Sequence, residues 1–242
     1  MKEIKNINFT EISSIPTLIK DFLSGALPQF ADLSFNIKNF ERQISEKENS
    51  FTKDQRSVLA ETIIKQFSDL QLSENQHKNI SLLKEKKTFT ITTGHQLNLF
   101  TGPTFFIYKI LQTIKTAEWL RAHFPDKNFI PLFWMATEDH DFDEIDHFRT
   151  ENGFYQIGGR SGGAVGRVVI EDDRFIQDFE KEFQDSVFGT ELILLMKKSY
   201  VKGRTLADAT RILVHELFSE YGLLILDGDE KALKSQMVPA FG

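Results

Sequence analysis

The chain has 242 residues, 40% of them hydrophobic and 26% charged, with a net charge of -6 and no cysteine. That is enough apolar sequence for one large α/β domain, or for a domain with a helical appendage. The missing thiols exclude disulfides, cysteine-ligated zinc, iron–sulfur clusters and a thiol nucleophile within it. The acidic balance repels phosphate backbones, no apolar run approaches the roughly 18 residues of a spanning helix, and the N-terminus has no signal-peptide pattern. A cytoplasmic protein with no nucleic-acid and no membrane partner is therefore expected.

Residues 1–85 read as a helical segment packed on the core that follows. From Phe51 to Leu72, the apolar positions Val58, Leu59, Ile63, Ile64 and Phe67 recur at helical spacing, and Asn75 to Lys84 continues in the same character. Thr88–Thr93 is β-branched and aromatic, which predicts a strand, closed by Gly94. Thr101-Gly102-Pro103 then opens a helix to about His123, with proline in the first turn and Thr101 or Gly102 as its cap. Its inward face carries Ile107, Ile110, Ile114 and Ala117. The apolar run Phe129–Ala136 predicts a strand buried on both faces, completing a parallel, right-handed strand–helix–strand unit. After an acidic segment, 138–147, short strands are expected near Phe154–Ile157 and Arg167–Ile170, joined by the flexible Gly158–Gly163. Helices follow over 172–185, 189–199 and 205–220. Gly222–Asp227 reads as another buried strand, closed by Gly228, and a new helix is expected before Phe241-Gly242. The catalytic core is thus placed at 86–242 and is expected to be incomplete at its C-terminal end.

Four groups of residues could carry chemistry. In open parallel sheets ligands bind beyond the carboxyl ends of the strands, glycines let a ligand approach the backbone, and a helix N-terminus favours an anion. The turn Thr93–Pro103 has these properties. Its candidate binding residues are Thr93, Gly94, His95, Gln96, Asn98, Thr101 and Gly102, with Tyr108 and Lys109 able to reach back from the helix. It contains neither GxxxxGK[ST] nor GxGxxG. An ordinary turn, in which His95 and Asn98 satisfy backbone groups, is the alternative. The second group, Thr137–His147, packs six carboxylates and two histidines into eleven residues. Carboxylates so close resist ionising together without water, a metal or a cationic ligand. With a histidine they could hold a divalent ion, or take a proton from an ammonium so that the amine can attack. The spacing is neither HExxH nor an EF-hand loop, so no metal ligand is assigned. Glu138, Asp139, His140 and Asp141 are the catalytic candidates, whereas Asp143, Glu144 and Asp146 suit helix capping or a solvated loop. Third, Asp227 at a strand end could bind a ribose or an amine, or cap the next helix. Fourth, the glycine-rich stretch 158–166, with Arg160 and Arg167, could hold an anion but better suits a hairpin turn. His215 is expected to pack within its helix, and His77 and His123 to lie on the surface.

Three long motifs occur in order: TGHQLNLFTGPTFFIYKI, PLFWMATEDHDFDEIDHF and GRTLADATRILVHELFSEYGLLILDGD. Together they resemble the cysteine-adding enzymes of bacillithiol synthesis, over nearly the whole chain. The resemblance implies a Rossmann-like parallel sheet flanked by helices, with an inserted connecting segment, similar to class I aminoacyl-tRNA synthetase cores. It also implies a longer protein with a C-terminal coiled coil and a homodimeric state. The implied reaction joins the carboxyl group of L-cysteine to the amine of glucosaminyl malate, the last step of bacillithiol synthesis. Amide formation from a free carboxylate is uphill in water, so ATP or another nucleotide is the expected cosubstrate. Glu138, Asp139, Asp141 and Asp227 would then meet the substrate ammonium groups. Lys109, Arg149, Arg160, Arg167 or Arg204 would meet the malate carboxylates, and the Thr93–Pro103 turn would hold the nucleotide. His140, between two carboxylates that favour its protonated form, is preferred over His95 as the base. Competing readings are a nucleotidyltransferase-like enzyme, a non-enzymatic dimeric partner protein, and a metal hydrolase built on Asp139, His140 and Asp141.

Overall fold

The computed structural model describes residues 7–34, 36–159 and 162–238. The pair Arg160-Ser161 lies outside these residues, as do 239–242; the new helix expected after Gly228 is present as Lys231–Ser235. The chain divides into two compact units, Met1–Phe51 and Thr52–Gly242. Sequence reading drew its boundary near residue 85. The structure groups the helices of 53–82 with the sheet, because both pack on its last strand.

The first unit holds α1 (Thr17–Ser24) and α2 (Ile37–Ser50). α1 ends at Gly25, whose φ of +77° turns the chain so that its N–H meets the last carbonyls. α2 starts where the Asn36 side chain accepts the N–H of Asn39 at 3.0 Å.

The second unit opens with α3 (Lys53–Gln66) and α4 (Glu74–Leu82). Each begins with a reciprocal capping box, Thr52 with Gln55 and Ser73 with Gln76, which fixes where helix starts. β1 (Thr88–His95), α5 (Phe105–His123) and β2 (Asn128–Met135) follow. Then come α6 (Phe142–Ile145) and a small antiparallel hairpin of β3 (His147–Arg149) and β4 (Phe154–Gln156). After them run α7 (Arg174–Phe183), α8 (Gly189–Ser199), α9 (Leu206–Phe218), β5 (Leu224–Asp227) and α10 (Lys231–Ser235). The main sheet is parallel in the order β1-β2-β5, with Gly94 opposite Trp134 and Met135 opposite Asp227. α5 covers one face through Phe106, which stacks edge-on against Phe133 at 5.2 Å. Carboxyl ends of all three strands therefore lie together.

Three expectations are corrected. Gly94 does not close β1, because it pairs within the ladder and only His95 ends it. The helix after β1 starts at Phe105 rather than at residues 101–103. Phe100 and Thr101, at φ +46° and +70°, and Gly102, at φ +54°, hold left-handed backbone that no helix can begin from. Arg167–Ile170 is not a strand partnered through a glycine turn. Instead β4 pairs with β3 across the Thr150–Gly153 turn, and the 167–170 segment contributes a single bridge, Val169 to Thr205.

α4 is anchored to β5 by Gln76, which is wholly buried. Its Nε2 donates to the Leu223 carbonyl at 2.8 Å, and its Oε1 accepts the Ser73 N–H at 3.2 Å. His215 on α9 is buried beside it, with Nε2 3.0 Å from the Gln71 carbonyl. Burial holds the imidazole below its ordinary pKa. Gln76→Ala leaves a buried carbonyl and N–H unpaired, and should lower the unfolding free energy by roughly 1–3 kcal/mol. A reduced urea midpoint with an unchanged slope is the expected reading; an unchanged midpoint would show that the anchor is dispensable.

Candidate functional site

The three strand ends are joined by side chains. Gln96, the first residue after β1, donates from Nε2 to Asp139 Oδ2 at 2.8 Å and to Glu144 Oε2 at 2.9 Å. Asp139 follows β2 and turns its other oxygen onto the N–H of His140 at 2.7 Å and of Asp141 at 3.4 Å. Led by the bond from Gln96, these donors hold the Asp139 carboxyl below its ordinary pKa. The His140 imidazole stands out into solvent between two carboxylates. Its Nδ1 lies 3.7 Å from Asp139 and its Nε2 3.5 Å from Asp141, which are ion-pair separations.

On the β5 side, the Thr137 hydroxyl donates to Asp227 Oδ1 and accepts the Asp229 N–H at 3.3 Å. Asp227 Oδ1 also accepts that N–H, at 2.9 Å. Gln66, at the end of α3, grips the Asp227 backbone from both sides: its Oε1 accepts the N–H at 2.9 Å and its Nε2 donates to the carbonyl at 3.2 Å. Asp229 pairs with Lys234 and, at 2.7 Å, with Arg167, and these two cations lower its pKa.

The turn after β1 is held from beneath. Tyr200, fully buried after α8, accepts the Phe100 N–H on its phenol oxygen at 2.8 Å, and burial raises its own pKa. Gly102 lies so close over Asn98 that a Cβ would sit 2.6 Å from the Asn98 Cβ. Asn98 is 7% exposed, and its Oδ1 has no hydrogen-bond partner among the described residues. His95 packs at 5.1 Å from the rings of both Phe105 and Phe106, with Nδ1 3.1 Å from the Gln96 carbonyl. Burial, then the nearby Lys109 charge, lower its pKa. Lys109 reaches back to the Gly94 carbonyl at 3.4 Å and lies over the Phe105 ring at 5.5 Å.

The structure thus gathers most of the sequence candidates. Gln96 and Asp139 touch, His140 and Asp141 adjoin them, and Lys109 and Gly94 touch. Asp227 stands on a neighbouring strand end, Thr93 precedes His95 in the α5-facing row of β1, and Asn98, Thr101 and Gly102 form the strained turn. Glu138 is exposed at the start of the acidic loop. The proposed anion-binding arginines are dispersed. Arg149 lies over the Phe154 ring at 4.5 Å, Arg204 donates to the last carbonyls of α8 at 2.5 and 2.7 Å, and Arg167 is held by Asp229. Arg160 lies outside the described residues. Sequence reading passed over Thr137, Gln66 and the contact made by Glu144. Thr137 could have been found by its place directly after a buried strand, whereas Gln66 arrives from a distant helix and carries no local mark. Asp146 caps nothing with its side chain: it is buried, bonding His147 Nδ1 at 2.7 Å and Gln156 Nε2 at 2.6 Å across the hairpin.

The fold is that of a Rossmann-like α/β domain, with a polar, carboxylate-rich cluster of side chains across its strand ends. The chain belongs to the BshC family: the profile described as "Bacillithiol biosynthesis BshC, N-terminal Rossmann-like domain" matches residues 2–242. A protein of Flavobacterium psychrophilum named "Putative cysteine ligase BshC" is 43% identical over 96% of this chain and 45% of its own length. Proteins of the same name from Christiangramia forsetii and Natranaerobius thermophilus are 39% and 29% identical, over 98% and 92% of this chain and 45% and 41% of their own lengths. The chain spans somewhat less than half the length of these curated relatives. Among the described residues, no helix is long and apolar enough to cross a membrane.

Asp139 supplies a check on the geometry. A depressed carboxyl pKa contributes stability above the unfolded value of about 3.9, lost as pH falls through the folded value. Gln96→Ala should raise the Asp139 pKa towards the ordinary value and shrink that acid-dependent loss, read by NMR titration of the Asp139 carboxyl carbon. An unmoved midpoint would show that the Gln96–Asp139 bond does not form in solution.

Proposed function

We propose that this chain forms the catalytic core of a ligase that adds L-cysteine to the amine of glucosaminyl malate, completing bacillithiol. One observation carries the reading. In a family whose relatives bear the name cysteine ligase, Gln96 ties the β1 turn to Asp139, and Thr137 in the same loop as Asp139 ties that loop to Asp227. Both substrates carry an ammonium group, and the strand ends are lined by the carboxylates that such groups seek. In this reading Glu138, Asp139, Asp141 and Asp227 bind the two amines. His140, between Asp139 and Asp141, takes the proton from the attacking nitrogen. The amine then attacks the activated cysteine carbonyl, the C–N bond forms, and the activating group leaves. ATP or another nucleotide supplies that activation. Its phosphates suit the α5 N-terminus and Lys109, next to Thr93, Gly94, His95, Asn98, Thr101 and Gly102. The intact protein is read as a cytoplasmic homodimer acting on small molecules, without a nucleic-acid or membrane partner.

Replacing Asp139 with Asn and His140 with Ala together in the intact gene should abolish bacillithiol in cells and let glucosaminyl malate accumulate, with the melting temperature of the purified variant confirming the fold. Normal bacillithiol would sink both the mechanism and the site.

One observation favours a second reading. Asp139, His140 and Asp141 can bring ligand atoms within 4.8 Å of one another, a spacing compatible with a divalent ion and hydrolytic chemistry. Elemental analysis of the dialysed intact protein separates the two. A stoichiometric ion, lost on Asp139→Asn, would favour the hydrolase; no bound ion and no effect of chelator on activity would remove it.

A further inference from the structure

Trp134, the penultimate residue of β2, takes no part in the site described above. Its side chain projects from the sheet face opposite Phe133 and α5, and lies across the strand ends between two glycines. Gly94 on β1 is its ladder partner. A Cβ at Gly94 would stand 3.6 Å from the Trp134 Cβ and 3.8 Å from the indole Cδ1. A Cβ at Gly228, directly after β5, would fall 2.6–2.8 Å from Cζ2, Cε2 and Nε1. The indole thus spans the sheet from one strand end to the other, and its seat needs glycine at Gly228. Part of the ring packs on the core and part is open to solvent. Its Nε1–H reaches solvent and has no hydrogen-bond partner among the described residues. Next to it on β1, Gly94 and Thr92 are exposed, so no large side chain of that strand covers this flank.

A partly exposed aromatic face with an unpaired N–H suits a ring that has an apolar face and a polar rim. Local charge narrows the choice. Arg167 and Lys234 are both engaged by Asp229, and Lys109 leans on the Gly94 carbonyl and the Phe105 ring. The segments that end or follow β2 and β5 carry Glu138, Asp139, Asp141, Glu144 and Asp227. This excess of carboxylate favours a cationic ring over a phosphorylated one.

We propose that Trp134 is the floor of an amino-sugar subsite: the pyranose ring stacks its C–H face on the indole, a hydroxyl accepts the Nε1–H, and the amine is held by the neighbouring strand-end carboxylates. It rests on the reading that the acceptor substrate is an amine-bearing sugar, and adds the residue that recognises the ring. Trp134 touches the non-reacting part of the acceptor, so its loss acts on acceptor binding more than on turnover.

The test uses the intact protein, with D-glucosamine as the probe and D-glucose and AMP as comparators, in wild type, Trp134→Phe and Trp134→Ala. Dissociation constants come from ligand-observed NMR, and the acceptor KM and kcat from steady-state turnover. Wild type should bind D-glucosamine more tightly than D-glucose. Trp134→Ala should weaken D-glucosamine binding about tenfold and raise the acceptor KM by a similar factor, with kcat and the KM for cysteine little changed. Trp134→Phe, which keeps a stacking face and fills most of the same space, should recover most of the affinity. Undetectable D-glucosamine binding to wild type, equal binding to wild type and Trp134→Ala, or loss of AMP binding alone would each overturn the subsite. If D-glucosamine binding depends on Trp134 while no cysteine is ligated, the subsite stands and the ligase reading falls. If ligation proceeds with an unchanged acceptor KM in Trp134→Ala, the subsite falls and the ligase reading stands.

Discussion

The strand-end architecture depends on Thr137. This residue leaves β2, is almost wholly buried, and makes contacts that no solvent replaces. Its hydroxyl bridges Asp227 and the Asp229 N–H, and its carbonyl accepts the Gly166 N–H at 2.9 Å. A Cβ on Gly166 would lie 2.7 Å from the Thr137 Cβ, so the returning segment can close on Thr137 only as glycine. One residue further, Val165 donates to the Asp139 carbonyl at 2.7 Å. The glycine-rich stretch that reads as a hairpin turn in sequence is thus, at its end, a brace for the acidic loop. Parallel strands leave their last backbone groups unpaired, and buried polar groups must find partners. Here the partners are supplied by loops that also carry the ionisable side chains, so the satisfaction of the backbone and the layout of the site are one constraint.

Much of this was legible from residue order. The helical character of 53–66 and 74–82 follows from the spacing of Val58, Leu59, Ile63 and Phe67 and its continuation past Asn75. The apolar run Phe129–Ala136 can only be a buried strand, and the clustering of Gln96, Asp139 and Asp227 follows from their places after three parallel strands. Local propensity failed where a distant partner decides the backbone. Gly94 reads as a stop, yet the ladder with Trp134 carries the strand through it. Pro103 reads as the first turn of a helix, but Tyr200, about a hundred residues away, fixes the Phe100 N–H in a left-handed turn and delays the helix to Phe105. Gln66 belongs to a helix that periodicity extends to Leu72, whereas the structure ends it at Gln66 and turns that side chain onto Asp227. No pattern within twenty residues encodes such pairings.

The two halves of the site differ in stiffness, and the difference bears on the proposed reaction. The β1 turn is overdetermined. Two non-glycine residues hold positive φ, a conformation costing of order 1–3 kcal/mol each. It persists because Tyr200 and the Asn98–Gly102 contact leave the chain no alternative. Such a turn presents fixed backbone groups, which suits a phosphate chain that must be gripped in one geometry while its bond to an activated carboxyl forms and breaks. The acidic loop is solvated where Glu138, His140 and Asp141 are exposed, and Gln96 tethers it through Asp139 and Glu144. A base must release its proton between turnovers, and exposure lets it do so to water, whereas a desolvated imidazole such as that of His95 is held neutral by burial. In the proposed reaction the exposed half would supply proton transfer, and the strained half position. Gln96 belongs to both, because it follows the last residue of β1 and ends on Asp139. In the proposed reaction this one amide would hold the carboxylate beside the base in fixed relation to the turn that grips the nucleotide.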